Sequence, residues 1–250
     1  MTPADAPAVQ VERLTVVFGR FVAISDLSFS VRYGEVRGLI GPNGAGKTTL
    51  LDVLTGKSRP RAGRVLVDGT IDLAGMSEVA RVHAGIGRKF QKPSVFEDLS
   101  VRDNLDLACR LHPRSLTREV LERGARKRDR IDRMLEIIGL TEQRDATAGA
   151  LSHGQKQWLE IGMVVVQEPK LLLLDEPVAG MSDEETARTA TLIQSLRSME
   201  RSIVIVEHDL DFVELVADAV TVLQDGRTLF EGSMAAARLD SRVIEGYIGR

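Results

Sequence analysis

A chain of 250 residues with 43% hydrophobic content can bury a substantial core, as one large domain or as two lobes. A net charge of −3 provides no global basic field, which argues against non-specific nucleic-acid binding, and a single cysteine, Cys109, rules out an internal disulfide and suits a reducing compartment. Apolar runs fall short of the roughly 20 residues that cross a bilayer, and Met1 to Gln10 lacks the basic start and apolar centre of a secretory signal, so a cytosolic protein is expected.

Residues 9–33 alternate as strands do: Val9, Val11, Leu14, Val16 and Phe18, a break at Gly19, then Leu27, Phe29, Val31 and Tyr33. Two or three strands are expected there. Phe18 precedes the loop that follows, where its ring could stack on a nucleotide base or equally fill a core. Val36 to Ile40 reads as a buried strand interrupted by Arg37. It leads into Gly41, Pro42, Asn43, Gly44, Ala45, Gly46, Lys47 and Thr48, which fit the phosphate-loop pattern, with Thr49 and the helix to Gly56 behind them. Glycines let successive N–H groups turn toward one point, and the helix adds its positive end. On this reading Lys47 bridges the outer phosphates and the Thr48 hydroxyl is placed to ligate Mg²⁺.

Asp68-Gly69 and Asp225-Gly226 each join two strand-like runs as hairpins, so the sheet is expected to be mixed rather than purely parallel. Gly85 to Pro93 starts as a short strand and breaks at proline. From there to about Gly139 the apolar spacing is helical. Residues 114–133 hold eight Arg or Lys against four Asp or Glu, a mixture that reads as a solvated helix face. Cys109, among Leu107, Ala108 and Leu111, reads as a packed thiol. Ser152 opens a helix that ends before Pro169, a capping residue at a second possible anion site.

Leu171 to Leu174 is a buried strand delivering Asp175 and Glu176 at its C-terminal end, where open α/β sheets bind ligands. Asp175 suits Mg²⁺, and Glu176 suits a water poised for in-line attack on a γ-phosphate. Ser182 to Glu185 is a capping box for a helix running to about Met199. Ser202 to Val206 is another buried strand, ending in Glu207, His208 and Asp209, from which His208 could reach the same phosphate.

These segments, in this order, resemble the ATP-binding subunit of ABC transporters over nearly the whole chain. The resemblance rests on Gly41 to Thr48, Gln91, the signature Leu151, Ser152, His153, Gly154 and Gln155, the pair Asp175 and Glu176, and His208. His153 replaces the commoner glycine, and Ser182 stands where an aspartate is usual, so no cross-dimer aspartate contact is carried over to that position. Arg88 to Pro93, Pro177 to Met181 and Val243 to Gly249 look like the branched-chain amino acid uptake group, and Ser152 to Glu160 like its urea-uptake members.

The resemblance implies an α/β fold with a RecA-like P-loop NTPase core and mixed sheet, an N-terminal antiparallel β part, and a helical lobe at about 91–164 between core segments 1–90 and 165–250. It implies ATP and Mg²⁺, the metal held by Thr48, Gln91 and Asp175. ATP would lie on one subunit's loop, Phe18 and residues 41–49 included, and be closed by Ser152, His153, Gly154 and Gln155 of a second ATPase subunit. Glu176 would orient water, Lys47 and His208 would stabilise the γ-phosphate, and Gln91 would report it. Two transmembrane permeases, docked near Phe90 to Leu105, and a periplasmic binding protein complete the implied assembly. The chain would sit on the inner membrane face, with no nucleic acid among its partners. Other members act as lipid or lipopolysaccharide exporter ATPases, as non-transport ATPases or as regulatory nucleotide-binding modules. Co-purification with permeases separates import from export, and Glu176 and His208 speak against a module without catalysis.

Overall fold

The computed structural model describes residues 7–90, 94–110, 124–197 and 201–248, so Gln91, the proline break at Pro93 and the first half of the charged stretch lie outside the described residues. In chain order the strands are β1 (Pro7–Phe18), β2 (Phe21–Arg32), β3 (Val36–Ile40), β4 (Ala62–Val67), β5 (Ile71–Asp72), β6 (Ile86–Lys89), β7 (Leu171–Asp175), β8 (Ser202–Val206), β9 (Ala219–Gln224) and β10 (Arg227–Gly232). The main helices are α1 (Lys47–Thr55), α2 (Glu78–His83), α3 (Val101–Arg110), α4 (Gly124–Ile138), α5 (His153–Val165), α6 (Asp183–Leu196) and α7 (Leu210–Val216). Short helical turns follow, ending in a π-helical turn at Ile244–Ile248.

Two sheets form, ordered β2-β1-β4-β5 and β10-β9-β3-β8-β7-β6. The first is antiparallel; in the second, β9 through β6 run parallel and β10 closes one edge antiparallel. The mixed sheet and the antiparallel N-terminal part agree with the sequence. Both Asp-Gly pairs have positive φ at both residues, 53° and 65° at Asp68-Gly69, which with Thr70 make a three-residue loop, and 50° and 73° at Asp225-Gly226, which make a two-residue one. The second is the two-residue loop whose twist matches its flanking strands.

The parallel strands are apolar throughout because both of their faces are covered. Leu172 and Leu174 of β7, with Ile203 and Ile205 of β8, pack with Trp158, Leu159 and Ile193 from the helices. Leu171, Leu173, Val204 and Val206 point the other way, into a core shared with α1 and the antiparallel sheet. Cys109 lies in the helical core as a buried thiol.

Asp68 ties the two sheets together. It accepts from the Tyr33 hydroxyl at 2.5 Å and pairs with the Lys170 amine at 2.5 Å, just ahead of β7. Partial burial and the Asp68 charge push the Tyr33 phenol up to about 12, and burial also raises Tyr247. Because the fold favours the neutral Tyr33 phenol, its stabilisation is intact below pH 10 and is lost as pH rises through about 12. Of the chain's two tyrosines, Tyr33 should contribute almost no phenolate absorbance in the native protein at pH 10, whereas the urea-unfolded chain should show both rings about half ionised. A half-developed phenolate signal from the folded protein at that pH would contradict the Tyr33–Asp68 tie.

Candidate functional site

The phosphate loop follows β3, whose five residues are all buried. Gly41 has φ 141°, and a Cβ there would come within 2.1 Å of the Leu223 carbonyl oxygen, so only glycine lets the chain leave the sheet at this point. Gly46 has φ 103° and stands at the N-cap of α1, which has no side-chain cap and no acid in its first turn. The positive helix end is therefore left for an external anion. A cavity of about 200 Å³ opens over it, walled by residues 43–49, Phe21, Ala23, Glu176, Val206 and His208.

Lys47 is buried, its amine donating to the carbonyls of Gly41 at 2.6 Å and Pro42 at 3.1 Å. Burial lowers its pKa below the usual lysine value, against the opposing pull of Glu176 and Asp175. A phosphate would give this ammonium a full counter-charge in place of two carbonyl dipoles.

Glu176 follows β7 with φ 47°, a left-handed conformation that costs a non-glycine residue about 1–3 kcal/mol. Its N–H donates to the Val206 carbonyl at 2.9 Å, and its carboxylate lies 3.5 Å from His208 Nε2. Two adjacent strands thus deliver an acid and an imidazole to one wall of the cavity.

Asp175, one residue earlier, is held by an ion pair that the sequence did not reveal. Arg88 of β6 spans Asp52 on α1 at 2.6 Å and Asp175 at 2.7 Å, with only 4% of its own side chain exposed. Removing one partner of a buried pair strands the other charge, so Arg88→Leu is expected to cost about 3 kcal/mol in urea unfolding. A loss below about 1 kcal/mol, the range of exposed pairs, would contradict that bridge.

Phe18 and Phe21 are paired across the tip of the β1–β2 hairpin, on one face of it. Both rings are more than half exposed, and Phe21 is the one that lines the cavity. The sequence reading named Phe18 and missed Phe21. Pairing Phe18 across the two-residue turn at Gly19 would have found it.

Ser152 caps α5 in a full capping box with Gln155. His153 Nε2 lies 3.2 Å from the Ala179 carbonyl oxygen, and Ser152 Oγ lies 3.5 Å from a Glu185 carboxylate oxygen. Gly154 also has a packing reason, since a Cβ there would come within 2.4 Å of that Glu185 oxygen. None of residues 152–155 is among those walling the phosphate-loop cavity. Gln91 lies outside the described residues.

Thr48, Asp175 and Glu176 bring hard oxygen donors near the cavity, the type that suits Mg²⁺. Among the described residues no group of three or more His, Cys, Asp or Glu forms a self-sufficient metal cage. The donors present therefore fit an ion that takes its remaining ligands from phosphate oxygens and water.

Residues 24–179 match the family model described as ABC transporter. The chain is 32% identical over 258 residues to the High-affinity branched-chain amino acid transport ATP-binding protein BraF of Pseudomonas aeruginosa, covering 97% of this chain and 98% of BraF. It is 34% identical over 249 residues to the Arabinose import ATP-binding protein AraG 2 of Burkholderia cenocepacia, and spans all of this chain but only 47% of that one. A solved structure of MJ1267, an ATP-binding cassette of an ABC transporter, in its ADP conformation, superposes with a TM-score of 0.84 at 30% identity, covering 98% of this chain and 99% of that one. A phosphate loop backed by an uncapped helix, an acid and a histidine facing it from neighbouring strands, and these likenesses converge: the chain belongs to the ABC transporter family and is an ATPase subunit.

Proposed function

We propose that this chain energises uptake of a small polar solute, urea or a related short amide or branched-chain amino acid, by pairing with a second ATPase subunit around ATP and parting after hydrolysis. The observation that carries the reading is the half-built cavity. Its walls hold the loop, Glu176 and His208, while the signature residues 152–155 stand elsewhere, on α5. A second copy or a sister subunit supplies them, so each nucleotide is shared between two chains.

Within that pair, Lys47 and the loop N–H groups hold the phosphates, and a ring at the hairpin tip stacks on the base. Glu176 orients the attacking water, and His208 steadies the γ-phosphate. Thr48, Gln91 and Asp175 would hold Mg²⁺, which neutralises phosphate charge when bound. On this reading the signature belongs to a lobe at about 91–164, and two permeases dock near Phe90 to Leu105. A periplasmic binding protein delivers solute on the far side, which puts this subunit on the inner face of the membrane. Among the described residues no helix is long and apolar enough to cross a membrane, in keeping with a peripheral position.

The choice of urea rests on the likeness of Ser152 to Glu160, and the amino acid alternative on the BraF relationship. Vesicles containing the chain with its permeases, supplied with binding protein and labelled solute, test both. ATP-dependent uptake of urea in preference to leucine is expected. Uptake of leucine alone would transfer the assignment to amino acids, and lipid extraction without solute uptake would overturn the importer reading.

A further inference from the structure

Glu207 follows β8 directly, with 4% of its surface exposed, an unfavourable place for a carboxylate unless its oxygens are occupied. They are occupied by backbone. Oε1 accepts from the Val178 N–H at 3.0 Å, Oε2 accepts from the His208 N–H at 3.0 Å, and the Asp209 N–H also donates to it. Val178 lies two residues beyond Glu176, and His208 carries the imidazole that faces Glu176 at 3.5 Å. One side chain therefore binds the two loops that present the acid and the histidine.

Its surroundings agree with a built clamp. Lys89 of β6, itself fully buried, reaches the carbonyls of Asp175 and Glu176 at 3.4 and 3.5 Å and feels the Glu207 charge. Tyr247, from the C-terminal turn, approaches both the Gly41 backbone and Glu207. Glu176 faces it as a like charge, and burial raises the Glu207 pKa while the backbone donors oppose the rise.

We propose that Glu207 is a positioning residue for ATP hydrolysis: by holding the N–H groups of Val178 and His208 on one carboxylate, it fixes the spacing between Glu176 and His208. It touches no substrate and acts through the two loops that carry Glu176 and His208. This role rests on the site reading given above.

The test compares ATP turnover and ATP affinity of the full chain for Glu207→Ala, Glu207→Gln, His208→Ala and the double variant Glu207→Ala with His208→Ala, with Glu176→Gln as control. Glu207→Ala is expected to lower kcat about tenfold or more while ATP affinity stays within about threefold. Glu207→Gln fills the same volume and keeps one acceptor for Val178, so it should recover part of the rate and carries the test should the alanine variant fail to fold. Losing Glu207 should slow turnover by a smaller factor in the His208→Ala background than in the wild type, because the part of the effect carried by His208 vanishes with it while the hold on the Glu176 loop through Val178 is lost in both. Wild-type kcat in Glu207→Gln and Glu207→Ala, losses that multiply with His208→Ala, or affinity falling in step with kcat would each overturn the proposal. Full turnover in Glu176→Gln would instead refute the site reading itself.

Discussion

Glu176→Gln is expected to bind ATP with nearly unchanged affinity, to lose about 10²- to 10⁴-fold in kcat, and to accumulate as an ATP-held dimer. The amide has the shape of the carboxylate and can keep the backbone turn at φ 47°, which depends on the N–H bond to Val206 and not on the side-chain charge. What it lacks is an oxygen basic enough to orient or deprotonate water. Binding and chemistry should therefore separate, with KM little changed and kcat collapsed. Nucleotide titration with size-exclusion chromatography reads both halves. Turnover at the wild-type rate would remove Glu176 from the chemistry, and a variant that binds ATP but stays monomeric, with no partner chain able to pair it, would remove the shared-nucleotide mechanism.

What the sequence made legible was the part governed by neighbours in the chain. The Asp68-Gly69 and Asp225-Gly226 turns need positive φ, which short-range chemistry announces. Ser182 and Glu185 form the expected capping box, and α6 ends at Leu196 instead of near Met199, with residues 198–200 outside the described residues. The all-leucine run at residues 171–174 signals a strand covered on both faces, and its two sets of side chains do enter different cores.

The rest depends on residues far apart in the chain. Arg88 meets Asp52 and Asp175 across separations of 36 and 87 residues, and nothing in local pattern distinguishes it from a surface arginine. Arg81 likewise looks like an ordinary helical residue until α2 docks and its guanidinium reaches the last carbonyls of α1, at Val53 and Leu54. Both are cations buried by tertiary packing, and tertiary packing is what residue spacing alone does not encode.

Lys47→Ala is expected to weaken ATP binding about 100-fold, since charge-assisted contacts to phosphate contribute roughly 1.5–3 kcal/mol each. The effect on the empty protein should run the other way. In the absence of nucleotide the ammonium is buried against two carbonyl oxygens, and burial lowers its pKa from the usual lysine value of 10.5, so the fold holds it at a cost. A lysine whose folded pKa is depressed destabilises the chain while protonated. Stability therefore rises with pH between its folded value and 10.5, and ATP affinity falls over the same interval as the ammonium is lost. Replacing Lys47 removes both trends. The apo variant should unfold at the same temperature as wild type or higher, while the rise in Tm that saturating ATP gives the wild type should disappear. A variant that unfolds more easily without nucleotide yet still gains Tm from ATP would show that Lys47 supports the fold and that the phosphates are held elsewhere.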